Sequence, residues 1–391
     1  MEATKTEKNE ASMKRMKLFQ SILIASLFVL VQTNFVFSRT KLVALPERVA
    51  VVIRLDHTDG AFIEEERTLH LEKGMNTVDF AWKDVRIDPD SIQLLMLTHP
   101  ETVQLMNVNY PPDENALVWK IYSPKVCDER VRVCYLLQGI DHFIQYRLFV
   151  NENESQAQLQ TSVIVKNFSG EQFLFANLWL GYGQMLPISI AHEETLKINI
   201  KDIDQISIEK KWEWDAGKEN WNNRYPKKST GIPVFYAFKN TKKNGLGDHV
   251  LSRGNVRIFQ KGKNGVPILL GEDNTQSVPV GETMKVCIGK SFDISVDQRM
   301  MENRKINIRN NNKNRIVLYD TETYIVAHLE NYKTKPARLL MAQYIQGQWE
   351  MLDCSIPFTL ENASKLIFDI SLAPLEKKQL TFRFNQRNIR P

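Results

Sequence analysis

Apolar and polar residues alternate with a period of two in many segments after residue 40. Each such segment places one face toward a core and the other toward water, which predicts strands of antiparallel sheets. A hairpin is predicted over 255–273, with Lys263-Asn264-Gly265 in its turn, because Asn-Gly tolerates positive φ. Phe292 is predicted to share a buried face with Ile294. The alternating runs are 292–297, 365–373 and 379–385.

No stretch longer than about 12 residues keeps a helical period of 3.6, which argues against a Rossmann or barrel enzyme core. We therefore predict an all-β protein of two or three antiparallel β-sandwich modules. Residues 39–112 form the first module, because the prolines of Tyr110-Pro111-Pro112-Asp113 cannot continue a central strand. Residues 113–391 form the second region, with a sub-boundary near 250. Polar residues 212–230 and 306–315 are predicted to lie between strands.

The first 38 residues resemble a secretory signal peptide. Basic residues up to Lys17 precede an apolar run over 18–37, and cleavage is predicted after Ser38. The alternative is an uncleaved anchor, since the run is about long enough to span a bilayer. The polar Gln32-Thr33-Asn34 argues against it. The chain is therefore predicted to be exported, to the periplasm, the cell surface or the medium, and to touch a membrane only through this segment if it is uncleaved.

The net charge bears on the class of partner, and the cysteine content bears on possible disulfides. The chain has 51 basic and 46 acidic residues, a net charge of +5, which argues against nucleic acid as the partner. An oxidising compartment permits disulfides, and the pairs Cys127–Cys134 and Cys287–Cys354 are candidates. Four cysteines allow three pairings, and buried free thiols remain the alternative.

The order of segments resembles the mucoidy-inhibitor-A-like proteins, whose C-terminal part is a domain of unknown function. The resemblance covers nearly all of the mature chain, although no single motif is specific. The segments that carry it are 62–71 with Gly74, Ile87-Asp88-Pro89-Asp90-Ser91-Ile92, 103–110, 139–148, 163–180 with Ser169-Gly170-Glu171, Gly231-Ile232-Pro233-Val234, 255–271, Pro279-Val280-Gly281-Glu282, 289–296 and 366–384.

This resemblance implies β-sandwich modules in an exported protein and implies no established chemistry. The chain departs from the family pattern, which often has Trp or Pro around His142 and Ile144 and Trp at Phe173. It also has no room for the coiled-coil insert of many members.

The usual catalytic and metal-binding patterns are incomplete, so we predict no catalytic residue, metal or cofactor. His192-Glu193-Glu194 lacks the second histidine of a zinc helix, because position 196 is Leu. Ser252 lacks the first glycine of a nucleophile turn. The acidic run Glu64-Glu65-Glu66 is interpreted as a solvated edge, and Asp248-His249 as a loop pair. Gly181-Tyr182-Gly183 and Gly245-Leu246-Gly247 precede no helix and are not phosphate loops.

A cluster of aromatic residues among basic ones is the candidate ligand-binding site. Trp212 and Trp214 share one strand face, and with Trp221 and Tyr225 they could stack on sugar rings or hold a peptide. The alternative is that these rings pack onto the sandwich.

Two functions follow. The first is a non-catalytic envelope or surface protein that binds a partner protein or glycan, or serves as a scaffold. The alternative is an exported hydrolase of glycans or peptides with a loop-built site, for which Asp215 and Glu219 would have to converge.

Overall fold

The computed structural model describes residues 43–56, 60–218, 229, 231–262 and 265–391. These residues form strands, two short 3-10 helices (Pro89–Ser91 and Lys242–Asn244) and no α-helix, which confirms the all-β prediction. The signal segment 1–38 lies outside the described residues. The strands, numbered in chain order, are β1 Val43–Ala44, β2 Ala50–Arg54, β3 Ala61–Leu71, β4 Gly74–Ala81, β5 Gln93–Met96, β6 Gln104–Asn109, β7 Ala116–Ser123, β8 Cys127–Leu137, β9 Ile140–Val150, β10 Gln156–Asn167, β11 Phe173–Trp179, β12 Leu186–Ile190, β13 Glu194–Ser207, β14 Glu209–Asp215, β15 Ile232–Lys239, β16 Gly254–Lys261, β17 Pro267–Thr275, β18 Thr283–Ser291, β19 Ile294–Asn310, β20 Ile316–Asn331, β21 Ala337–Tyr344, β22 Gln348–Cys354, β23 Phe358–Asn362, β24 Lys365–Leu372 and β25 Lys377–Ile389.

The chain divides into two compact units and passes between them five times, and three of these crossings lie within β3, β5 and β8. Unit 1 comprises the described residues up to Glu47, with Arg67–Lys83 and Leu95–Val131. Unit 2 comprises Arg48–Glu66, Asp84–Leu94 and Arg132–Pro391. This division differs from the contiguous one predicted at 112/113, which falls inside unit 1.

Unit 1 contains a four-stranded sheet of order β1-β4-β7-β6. Strands β6 and β7 pair antiparallel, and Pro111 and Pro112 lie in the connection between them. The prolines therefore end a strand, as predicted, but they turn the chain within one sheet and do not close a domain. Phe80 and Trp119 are buried and stacked, with ring centroids 5.5 Å apart.

Two sheets of unit 2 are built mainly from strands that precede β14, and β16 and β17 join the second of them. The first has the order β12-β11-β2-β3-β8-β5, of which unit 2 contains only parts of β3, β8 and β5, and the second has the order β13-β10-β9-β16-β17. In the second sheet β16 runs parallel to β9 and antiparallel to β17. The β16–β17 pair confirms the hairpin predicted over 255–273, although Lys263 and Asn264 of its turn lie outside the described residues.

Two more sheets of unit 2 share one hydrophobic core, and we call them the C-terminal sandwich. Their orders are β18-β15-β14-β21-β24-β23 and β19-β20-β25-β22. Leu366 and Phe368 of β24 and Phe382 of β25 are buried there, which confirms the alternation predicted for both runs. Phe292 is 72% exposed, so its predicted burial is wrong, because β19 begins only at Ile294.

Candidate functional site

The candidate site is a cavity of about 430 Å³ in unit 2. Its walls are the segment 180–186 between β11 and β12, the loop 246–252, and side chains of three neighbouring strands. Tyr146 projects from β9, Thr161 from β10, and Ile200 and Lys201 from β13. The volume falls within the range of roughly 300–1,000 Å³ that is typical of small-molecule sites.

The buried side chain of Asn240 holds the cavity loop in place. Its amide nitrogen donates to the carbonyl oxygens of His249 (3.0 Å) and Val278 (3.1 Å), and its amide oxygen accepts from the backbone N–H of Gly247 (2.8 Å). Gly247 has φ +83°, and a Cβ there would lie 2.6 Å from the backbone nitrogen of Lys242. Only glycine fits this turn without strain.

Aromatic rings and hydroxyl groups meet in the cavity. The rings of Tyr182 and His249 are stacked, with centroids 4.4 Å apart and planes at 23°. The Tyr182 hydroxyl lies 3.2 Å from the Ser252 hydroxyl. The Tyr146 hydroxyl donates to the Ser252 carbonyl at 2.8 Å, which fixes the loop against β9.

The charges in the cavity cancel. Lys201 Nζ lies 3.1 Å from Asp248 Oδ2, and this hydrogen bond lowers the pKa of the Asp248 carboxyl. Burial, with the nearby Lys201 cation, lowers the pKa of His249. His249 is therefore neutral at pH 7, and the burial that raises the pKa of Tyr146 keeps that phenol protonated.

Four motifs that look unremarkable in the sequence converge here. In the sequence each is interpreted as a glycine turn, a loop pair or an incomplete motif, and no local signal joins segments that lie about 60 residues apart. They are Gly181-Tyr182-Gly183, Gly245-Leu246-Gly247, Asp248-His249 and Ser252.

The structure corrects the prediction for Trp212 and Trp214. Both lie on β14, an inner strand of the C-terminal sandwich, and each is only 2% exposed. They do share one face, as predicted, but that face packs into the core and cannot stack on a ligand. Trp221 and Tyr225 lie outside the described residues.

All four cysteines are free thiols, contrary to the disulfide hypothesis. Cys127 and Cys134 lie on the same strand, β8, where seven residues separate them by roughly 23 Å, far beyond disulfide reach. Cys287 and Cys354 lie on edge strands of different sheets, and each thiol contacts the carbonyl oxygen two residues further on. Burial raises the pKa of the thiols of Cys134, Cys287 and Cys354.

The acidic run on β3 is not the solvated edge that the sequence predicts, because β3 lies between β2 and β8 and none of the three carboxylates is exposed. Glu64 and Glu66 lie near Arg132, at 3.6 and 2.6 Å, whereas Glu65 is fully buried and accepts from Arg48 at 2.5 Å. Adjacent residues of a strand point to opposite faces, which explains the split.

Arg48 also pairs with Glu171 of the Ser169-Gly170-Glu171 motif. Burial alone would lower the pKa of Arg48, but Glu65 and Glu171 raise it above its ordinary value. The members of this partly buried ion cluster pair with one another, so we assign it a structural role.

Asp215 does not meet a second acid in the described structure. Its carboxylate accepts from the Gly217 backbone N–H at 2.9 Å and from the Tyr344 hydroxyl at 3.1 Å. Glu219, its suggested partner, lies outside the described residues.

Among the described residues, no group of three His, Cys, Asp or Glu side chains is placed to hold a metal ion. Within the same residues, no helix is long and apolar enough to cross a membrane. Comparison with protein-family models and with curated proteins finds no match.

Proposed function

We propose that this chain is an exported, non-catalytic binding protein of the mucoidy-inhibitor-A-like type, and that its cavity takes a small, uncharged, hydroxyl-rich ligand such as an envelope glycan. The observation that carries the proposal is the stacked pair of Tyr182 and His249 beside the Ser252 hydroxyl in a cavity of about 430 Å³.

The chemistry of the lining selects this ligand class. Sugar rings have apolar faces that pack on aromatic rings, and their hydroxyls need donors and acceptors around the edge. Leu180, Leu186 and Leu251 supply apolar wall, while Gln184 and Thr161 supply polar groups. A charged ligand would find no uncompensated partner, because Lys201 is already paired with Asp248.

Export and family membership rest on the sequence. The basic and apolar N-terminal segment supports export, and the ordered set of family-like segments supports membership. N-terminal sequencing of the protein recovered from an exporting bacterial host tests the first point, and Arg39 is expected as the mature terminus. An intact terminus on protein that remains in the membrane fraction would contradict cleavage.

An exported hydrolase is the second candidate, because Ser252, His249 and Asp248 line one cavity. Their contacts favour binding. The Ser252 hydroxyl faces Tyr182, the imidazole of His249 stacks on the same phenol ring, and Asp248 pairs with Lys201. No described hydrogen bond joins Ser252 to His249, as a nucleophile and its base require.

Saturation-transfer NMR with N-acetylglucosamine and cellobiose tests the binding proposal. At about 0.3 kcal/mol per heavy atom, N-acetylglucosamine is expected to bind with roughly millimolar affinity, and the larger cellobiose at most with roughly 10 μM affinity. Tyr182→Ala is expected to weaken binding roughly tenfold, because the stacking surface is lost. Tyr110→Ala removes a half-exposed phenol of unit 1 and is expected to change nothing.

Two outcomes would count against the proposal. Equal losses of sugar affinity in Tyr182→Ala and Tyr110→Ala, or no saturation transfer to either sugar, would show that the cavity is not a glycan site. Hydrolysis of p-nitrophenyl esters or glycosides that disappears in Ser252→Ala would favour the hydrolase instead.

A further inference from the structure

The hairpin β19–β20 extends beyond the core of the C-terminal sandwich. We call residues 299–319 the arm. From 301 to 317 every residue is exposed except Ile306, which is half-buried. The sequence predicts a solvated loop over 306–315, but 306–310 continue β19, and the turn is confined to residues 311–315.

Side-chain contacts hold the arm in one shape. Arg304 pairs with Glu322 across the hairpin at 2.7 Å, and the Asn307 amide donates to Asp320 at 2.9 Å. In the turn, Asn311 Oδ1 accepts from the backbone N–H groups of Lys313 and Arg315, both at 3.0 Å. The arm is therefore a defined projecting element.

The arm carries a charge excess equal to that of the whole chain. It contains six basic residues and one acidic residue, a net charge of +5, and the 391 residues together also have +5. The other 370 residues are therefore neutral overall. Arg299 and Arg304 pair with carboxylates, while no described residue forms a salt bridge with the three cations nearest the tip, Arg309, Lys313 and Arg315.

Exposed apolar side chains lie among these cations. Met301, Ile308, Ile316 and Val317 have exposed fractions between 39% and 59%. Single exposed apolar residues are ordinary, but four on one narrow hairpin lie beside cations that form no described salt bridge. Together they supply the two attractions that hold interfacial segments on a bilayer, apolar burial and attraction to anionic lipid.

We propose that the arm docks on an anionic lipid bilayer surface. Arg309, Lys313 and Arg315 would meet headgroup phosphates, and Ile308 and Ile316 would enter the boundary of the acyl chains. A single-stranded nucleic acid fits less well, because stacking platforms are aromatic. The arm has one aromatic residue, Tyr319, and the Lys305 ammonium lies 4.4 Å from its ring centroid.

Vesicle co-sedimentation of the full chain tests this docking. The vesicles are pure phosphatidylcholine, or phosphatidylcholine with 30% phosphatidylglycerol. Arg309→Gln/Lys313→Gln/Arg315→Gln is expected to lower the partition coefficient on anionic vesicles roughly 100-fold, at about 1 kcal/mol per basic residue. Ile308→Ser/Ile316→Ser is expected to lower it roughly tenfold. The N-terminal apolar segment is the same in every variant, so it does not contribute to these differences.

A matched control removes three exposed lysines away from the arm, Lys239→Gln/Lys243→Gln/Lys261→Gln, and is expected to cost less than threefold. Equal losses in this control and in the arm triple variant would mean diffuse attraction and would overturn the proposal. So would the absence of a preference for the anionic vesicles. Tighter binding to heparin or single-stranded DNA than to the vesicles, with no effect of Ile308→Ser/Ile316→Ser, would assign the arm to a soluble polyanion instead.

Discussion

Trp214→Ala is expected to lower the free energy of unfolding of the C-terminal sandwich by about 4 kcal/mol. The side chain is only 2% exposed, so truncation removes roughly 200–250 Å² of buried surface, or about 5–6 kcal/mol at about 25 cal/mol per Å². No described group accepts from its indole N–H. The variant no longer buries this unpaired donor, which offsets about 1–3 kcal/mol of the loss. The net loss of about 4 kcal/mol lies within the usual range for truncation of a buried Trp to Ala.

Differential scanning calorimetry measures this loss. At about 2–4 °C per kcal/mol for a unit of this size, the transition is expected to fall by roughly 8–16 °C. Trp214→Phe keeps a ring and removes the unpaired donor, so it is expected to cost less than about 2 kcal/mol. Phe292→Ala, at an exposed position beside the same sandwich, is expected to cost less than about 0.5 kcal/mol.

A shift below about 2 °C for Trp214→Ala, similar to that of Phe292→Ala, would refute the placement of this ring in the core. The exposed aromatic surface predicted from the sequence would then return as the better interpretation. Below its unfolding transition, the Trp214→Ala variant is expected to bind the sugars as the unmodified chain does, because Trp214 does not line the cavity.

Three further predictions concern the cavity loop, a half-buried ion pair and the thiols. Gly247→Ala is expected to cost about 1–3 kcal/mol and to weaken sugar binding, whereas Gly265→Ala, at φ +75° with open space around it, should change only stability; thermal unfolding and NMR titration separate them. Burial alone would raise the pKa of Glu154, but hydrogen bonds from Lys210 and Tyr236 lower it below its ordinary 4.5. The folded state is therefore stabilised above about pH 4.5 and loses this contribution as the pH falls, and a Glu154→Gln variant with an unchanged slope of melting temperature against pH would contradict this. Titration with a thiol reagent under denaturing, non-reducing conditions should count four free thiols, and any smaller number would restore a disulfide among Cys127, Cys134, Cys287 and Cys354.

The strand pattern could be predicted from the sequence because most strands bury only one face. Leu366 and Phe368 alternate with residues of the opposite face, so their burial follows from the period alone. The start of a strand does not follow from the period, and Phe292 shows this, since it continues the alternation but lies before β19.

The burial of the tryptophans was also readable from the sequence. Lys211, Glu213 and Asp215 alternate with Trp212 and Trp214, so the charged residues mark the outer face of β14 and the rings must lie on the inner one. The lysines that neighbour these rings in the sequence favour a ligand-binding interpretation, but the same lysines can extend over the edge of a core. The Lys210 ammonium does this, 5.3 Å from the ring centroid of Trp212.

The cavity could not be predicted in this way, because pairings between distant segments build it. Strand β16 lies parallel to β9, and this pairing brings Ser252, just before β16, to the hydroxyl of Tyr146, 106 residues earlier in the chain. A period of two gives the face of each strand but says nothing about which strands become neighbours.

The way in which the loop is fixed has a consequence for binding. Asn240 ties Gly247 and His249 to the segment before β18, and Tyr146 ties Ser252 to β9, so His249 and Ser252 are positioned before any ligand arrives. Little conformational entropy is then lost in ordering the loop when a ligand binds, so the affinity depends on contacts with the rings and hydroxyls. Replacing Asn240 is therefore expected to reduce binding by releasing the loop, even though its side chain bonds only to backbone groups. Replacing Tyr182 is expected to reduce binding while the loop stays in place.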